Sequence, residues 1–531
     1  MSFHPFAPAS DNRATRAATP LVLRNVSLEP NAKGYDPRKP YLLAPTPGQR
    51  LRLKFNDDPL LTEGGAELSR EDGARLVTEQ GDGSWRNVRA LFADPDVHGG
   101  ALFAVAGSSL FRVGSDWTAA NLGPINGTAQ TMMRGFGSNL IIKGDARLYV
   151  YGTSQYISAE NGDILEIETG GYLEVEATSN QLVTIIDVDA PGAPSPPETL
   201  AVLAARVVSS ATGSDAFDWS TVANAEAWPA EGFASVQYAS IKAIVESRGY
   251  LAIFGEKKMQ FWRAAGGEDA DAFDTVGFTP LDKGLLARDA VAQTDGGLMW
   301  VGDDRVAYQV DGAGSPVRIV NRDLEVALEG LTATQAGQVR AFSYLDGSRL
   351  YFVVRPPLGA TRVYDAAFDR WHERMTYNGD AYAPGHYARA YGKHVVASPD
   401  GADLWTWEHD VYDDAGEPIE RVASVHVPLP GPVAIDHITL DGQFIGQPVV
   451  GQGADPTIML RFSRDGGMTW SDARLGVIRT SPGPVAGNYA TNVRFNRLGR
   501  FVGQHGLLLE IRITDPIGFA LFGVWINEDP N

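Results

Sequence analysis

The chain has 531 residues, with 58 Gly, 32 Pro, no Cys and a formal charge of −20. At 44 % hydrophobic and 10 % aromatic it can build large cores, which excludes wholesale disorder and collagen-like repeats; the absent cysteines exclude disulfides, thiolate zinc sites and a cysteine nucleophile. The acidic balance argues against wrapping nucleic acid by bulk electrostatics, because such binding relies on Lys and Arg neutralising phosphates.

Residues 1–50 are rich in Pro, Arg and Ala and hold one strand-like patch, LVLRNVSL (21–28). They read as an N-terminal arm or as a contribution to the closure of the module that follows. Met1 to Arg24 carries no apolar h-region and no run in the chain approaches 18 apolar residues, so neither export nor a membrane-spanning segment is expected. Beyond the arm, helical periodicity is nearly absent, Leu324–Leu331 being a short exception, and apolar alternating runs bounded by Gly, Asp and Asn recur.

Four of these runs repeat one hairpin, an apolar strand followed eight residues later by a second strand: Leu102/Leu110, Leu140/Leu148, Leu251/Met259 and Leu298/Val306. Looser copies begin near Leu203, Leu350 and Val395. The repeat length suits a four-stranded propeller blade of roughly 40–50 residues. The chain is therefore expected to be all-β: a β-propeller of six or seven blades over 51–426, interrupted by a Pro-rich insertion at about 160–198. The segment VPLPGP (427–432) reads as a linker, because closely spaced prolines cannot extend a central strand. The longer alternating strands after it, over 433–531, suit a C-terminal β-sandwich.

Chemistry is sparse. The chain has no G-x-S-x-G elbow, no G-x-x-x-x-G-K-[ST] loop and no strand-to-helix G-x-G-x-x-G, and the nine histidines are scattered. The acidic clusters Asp94-Asp96, Asp269-Asp271-Asp274 and Asp410-Asp413-Asp414-Glu417 do not match a calcium loop and read as solvated turns. No catalytic, metal or cofactor residue is nominated. Ser463 to Trp470 resembles the Asp box of sialidases, in which Asp465 ties a turn through backbone N–H groups and Trp470 packs beneath it. That box occurs once and outside the propeller repeats, so it reads as a turn brace. Trp371 and Arg374 are the other structural candidates, and Arg497 and Arg500 are candidates for a subunit or partner contact through charged hydrogen bonds.

The order of these motifs resembles the packaged-DNA stabilisation proteins of short-tailed phages, the tail hub or nozzle proteins below the portal. The likeness runs through RNVSLEP (24–30), YLLAPTPGQR (41–50), VRALF (88–92), FDWSTVANAEAW (217–228), IVESRGYLAIFGEKKMQFW (244–262) and VYDAAFDRWHER (363–374), then GQGADPTIMLRFSRDGGMTWSD (451–472), RFNRLGR (494–500) and IRITDP (511–516). The stretch 160–198 and the loop 476–487 depart from it. The resemblance implies a non-enzymatic virion component made in the host cytoplasm: a homohexameric ring on the tail adaptor, beside spike, fibre or needle proteins. Double-stranded DNA would pass through its lumen without sequence-specific binding, and an acidic wall would let it slide. Two other readings compete. A propeller glycoside hydrolase or depolymerase of host polysaccharide requires two or three acids converging at one end of the propeller axis; a glycan-binding adhesin requires exposed aromatics there.

Overall fold

The computed structural model describes residues 3–6, 19–31, 41–55, 87–152, 181–184, 192–238, 240–267, 271–377, 382–429, 431–445, 456–478, 492–502 and 506–528. The expected insertion at 160–198 and the loop at 476–487 fall largely outside these residues. The chain divides into two compact units that are not successive in sequence. One comprises Leu51–Pro357 and Ala383–Thr406; the other comprises Met1–Arg50, Leu358–Tyr382 and Trp407–Asn531.

The first unit is built of small antiparallel sheets. The leading strands are β1 (Val88–Phe92), β2 (Met132–Phe136), β3 (Ala201–Leu203), β4 (Ile241–Ser247), β5 (Val291–Thr294), β6 (Arg340–Asp346) and β7 (His386–Ala390). Each pairs with the strand that follows it in sequence. The sheets led by β1 to β5 each continue to four strands in a simple meander. The hairpins repeated in the sequence are the second and third strands of these sheets, for example Leu102–Ala106 with Ser109–Val113 and Tyr250–Gly255 with Met259–Ala264.

The leading strands neighbour one another in chain order, β1 beside β2 through to β7, and β7 lies beside β1 again. The closing sheet takes a strand from far upstream. The Phe55 amide donates to the Ala402 carbonyl at 2.9 Å, Lys54 faces Asp403 at 3.5 Å, and Arg52 Nε donates to Thr406 Oγ1 at 2.9 Å. Facing sheets bury apolar side chains between them. Leu102, Ala104 and Val113 pack against Val395 and Leu404, while Phe103 and Val105 pack against Leu140 and Ile142. Each fully buried Leu, Val or Phe stabilises the fold by about 1.5–3 kcal/mol, so sheet-on-sheet burial is the main force holding the meanders face to face. The helix expected near Leu324 is present over Arg322–Glu329, capped by Asn321, whose side chain accepts from the Leu324 amide at 3.0 Å.

The second unit packs two sheets face to face. One has the order Val26–Pro30, Tyr41–Pro45, Gly518–Ile526, Val433–Ile445, Val493–Phe501, with Phe3–Pro5 also paired to Gly518–Ile526. The other runs Thr361–Asp365, Arg370–Arg374, Thr19–Arg24, Arg421–Val427, Leu507–Ile513, Thr457–Ser463, Arg474–Val477. Strands from the first fifty residues thus enter both sheets. Their alternating inner faces form a single core that includes Leu28, Val425, Ile438, Leu460, Leu509 and Val524.

Candidate functional site

The leading strands of the first unit surround a cavity of about 530 Å3, lined by β1, β2 and β4 to β7 together with Arg288 and Asp289 just before β5. Successive residues of these segments line it, among them Thr131–Arg134 and Gly385–Arg389, so both faces of a leading strand contribute to the cavity or its rim. In a chain of net charge −20 the result is unexpected. Arg134, Arg288, Arg340 and Arg389 line the cavity with one carboxylate, Asp289.

Asp289 binds Arg288 through both oxygens, at 3.0 and 3.3 Å, and lies 3.4 Å from Arg340. Burial by itself would raise this carboxyl; the two guanidinium groups outweigh it and hold the group at about 2. Arg288 is shared further, with the Gln130 carbonyl at 3.0 Å and Glu198 at 3.7 Å. Burial, with Arg340 beside it, pushes the His386 ring down to about 3, so it is neutral at physiological pH. Arg134 is different: its guanidinium donates to the Met133 carbonyl at 2.8 Å, and among the described residues it has no ion pair. Two polar atoms at this wall, Thr131 Oγ1 and His386 Nε2, are buried and have no hydrogen-bond partner among the described residues.

The glycosidase reading requires two or three acids converging at one end of the propeller axis; among the described residues that line this cavity Asp289 is the one carboxylate, and it is ion-paired. Among the described residues no group of His, Asp and Glu is arranged to hold a metal ion. Two of the acidic clusters include turns, where Asp94 accepts from the Asp96 amide at 2.9 Å and Asp413 from the Gly416 amide at 3.0 Å; Asp274 instead lies in the strand Phe273–Leu281, and burial raises the Asp414 carboxyl, so neither is a solvated turn residue.

The sequence-derived candidates all lie in the second unit. Trp371 and Arg374 share the strand Arg370–Arg374. Trp371 packs on Tyr364 with ring centres 5.2 Å apart. Arg374 is 2 % exposed and donates to the Pro47 carbonyl at 2.9 Å and the Tyr382 hydroxyl at 3.2 Å, with its guanidinium 4.5 Å from the Trp407 ring centre.

Asp465 closes its turn as the motif requires. Its carboxylate accepts from the Thr469 amide at 2.9 Å, the Thr469 hydroxyl at 2.5 Å and the Ser463 hydroxyl at 2.7 Å, and these bonds hold its pKa well below the usual carboxylate range. Trp470 lies under Arg461, 5.5 Å from its guanidinium. Arg464, from the same turn, donates to the Leu498 carbonyl and so joins the Asp465 turn to the strand Val493–Phe501, which carries Arg497 and Arg500. Glycine is favoured at 499 because its φ is +92°, a conformation that L side chains rarely adopt. The side chains of Arg497 and Arg500 are exposed, on a strand at the edge of its sheet.

This unit also carries a ladder of charges across adjacent strands, which leaves no local signal in the sequence because most of its partners are remote in the chain. Arg362 and Arg24 both bind Glu373, Arg24 reaches Glu420 at 3.5 Å, Arg512 bridges Glu420 at 2.8 Å and Glu510 at 3.3 Å, and Arg461 holds Glu510 at 2.9 Å. Directly opposed charges on one sheet face stabilise the pairing of strands.

Residues 93–406, more than half of the chain, match the family model described as bacteriophage P22 Gp10, β-propeller. No curated protein matches significantly. Among solved structures, the computationally designed Ika8 protein is similar at 10 % identity and a TM-score of 0.36, covering 62 % of this chain and 98 % of its own.

Proposed function

The chain belongs to the family of phage β-propellers that includes bacteriophage P22 Gp10, and from that premise we propose that it forms a ring in a short phage tail, closing the DNA exit channel below the portal. The family is one of structural virion proteins that stabilise packaged DNA. The observation that carries the finer reading is the extent of the match, which runs from just after β1 to residue 406 and so takes in nearly all of the sheets around the axis.

In this proposal six copies assemble on the tail adaptor, retain the packaged genome, and relax or relay during ejection, with spike, fibre or needle proteins as further neighbours. The protein is made in the host cytoplasm and carries out no reaction. Among the described residues no helix is long and apolar enough to cross a membrane. Arg497 and Arg500, exposed on an edge strand, are our choice for a subunit or adaptor contact, whereas Trp371, Arg374, Asp465 and Trp470 brace the fold. Six chains at −20 each give the ring a field that repels DNA phosphates, so the duplex slides.

Mass photometry and negative-stain imaging of the purified chain, alone and with adaptor-bearing heads, test the proposal. The expected result is a six-chain species, or monomers that form a ring on the heads, and heads lacking the protein that leak DNA. A strict monomer that never joins heads and instead cleaves polysaccharide would sink it.

A further inference from the structure

The ring as proposed makes no use of the cationic cavity of the first unit, whose chemistry is that of a ligand site. At about 530 Å3 it falls in the size range of small-molecule pockets and is far too small for a duplex. Lining residues carry four guanidinium groups against one carboxylate, Asp289, which already spends both oxygens on Arg288 and Arg340. The surrounding charges do not cancel the excess. Glu198 is engaged with Arg288, Asp289 and then Glu246 act on Arg134 only from beyond ion-pair distance, with Glu246 accepting from Gln293 at 2.6 Å, and Lys143 adds a further positive charge near Arg288.

Two cations thus remain uncommitted to any ion pair among the described residues, Arg134 on the wall and Arg389 at the exposed rim. Beside them lie polar atoms that burial normally forces into hydrogen bonds: the Thr131 hydroxyl, on a residue 6 % exposed, and the His386 Nε2. Uncommitted guanidinium groups together with unsatisfied buried polar atoms describe an anion-recognition site, in which forked N–H donors match tetrahedral oxyanions.

We propose that this cavity binds a small phosphate-class dianion, inorganic phosphate or a phosphomonoester, held by Arg134 and Arg389 with hydrogen bonds to Thr131 and His386. The ligand occupies part of the axial cavity and ties β2 to β7. Its affinity rests on these side chains and not on ring assembly, so the proposal stands or falls separately from the tail function.

Calorimetric titration of the full-length protein at pH 7.5 with inorganic phosphate and with phenyl phosphate, against sodium chloride at matched ionic strength, is the direct test. Saturable one-to-one binding is expected. R134Q and R389Q should each weaken it about tenfold, as for a lost charge-assisted hydrogen bond, with the unliganded thermal midpoint of R389Q unchanged. If R134Q does not fold, R389Q at the rim still decides. A 12-base-pair duplex should fail to displace phosphate. The proposal is overturned by phosphate binding no stronger than the salt control, by R389Q binding as tightly as the parent, or by displacement by the duplex, which would assign the phosphate chemistry to nucleic acid.

Discussion

Arg374 shows how a cation can sit 2 % exposed without an ion pair among the described residues: two oxygen acceptors and the face of Trp407 take its place, and the Asp414 carboxylate acts from farther off. Truncation to alanine leaves the Pro47 carbonyl and the Tyr382 hydroxyl without their donor and opens a hole, so R374A should destabilise the protein by about 3 kcal/mol in urea unfolding. R374K keeps the charge but loses the planar fork, and should recover only part of that loss. Asp218 makes the opposite case. Burial raises its carboxyl to about 6, above its value in the unfolded chain, so the native state holds the extra proton between pH 4 and 6 and stability falls as pH rises through that window. D218N should therefore be more stable than the parent at pH 7.5, by about 1–2 kcal/mol once partial exposure is discounted, and the two should converge below pH 4. Equal stability at both pH values would refute this. His386 has the reverse sign: its depressed pKa means that stability is lost as pH falls from about 6.5 towards 3.

Among the elements, the second and third strands of each sheet were legible because both are apolar and their turn is short and polar. The leading strands were not. β2 (MMRGF), β5 (VAQT) and β7 (HYARA) each interrupt their apolar residues with Arg, Gln or His where they border a polar cavity, and no hydrophobic period survives. The cavity is built on those strands, so the candidate site could not be seen until they were placed. The signal it left was a lone Arg in an otherwise weak strand, at Arg134 and Arg389. The turn between β3 and its partner holds Ala204 and Ala205 at φ of 52° and 54°, the conformation of a type I′ hairpin, which alanine adopts at a cost. Replacing both by Asn-Gly should raise stability by about 1 kcal/mol, read as a higher urea midpoint with an unchanged slope. The charge ladder of the second unit admits a similar test. A double-mutant cycle on Arg461 and Glu510 should give a coupling of about 0.5–1 kcal/mol that shrinks in 1 M salt, and no coupling would show that the pair merely shares a sheet.

For the molecule as a whole, the all-β class and the approximate blade positions could be read from repeat length, and the Asp465 turn from its motif. Pairing between remote segments could not. Arg24 sits opposite both Glu373 and Val422, and a single sequence carries no mark of such partners. For the same reason the contribution of residues 19–45 to the second unit has no local signal. Deleting residues 1–55 should abolish cooperative unfolding, because both the strands of the second unit and the closing contacts of the first are removed; a truncated chain with the parent's transition would contradict this. Closure through Phe55 and Ala402 also has a consequence for synthesis. At roughly 5–20 residues per second, tens of seconds pass between the emergence of residues 51–55 and that of the strand they meet. Throughout that time a nascent sheet edge stands open to neighbouring chains on the same messenger. The waiting strand holds Arg50, Arg52 and Lys54, whose like charges keep two such edges from pairing with each other until the proper partner emerges.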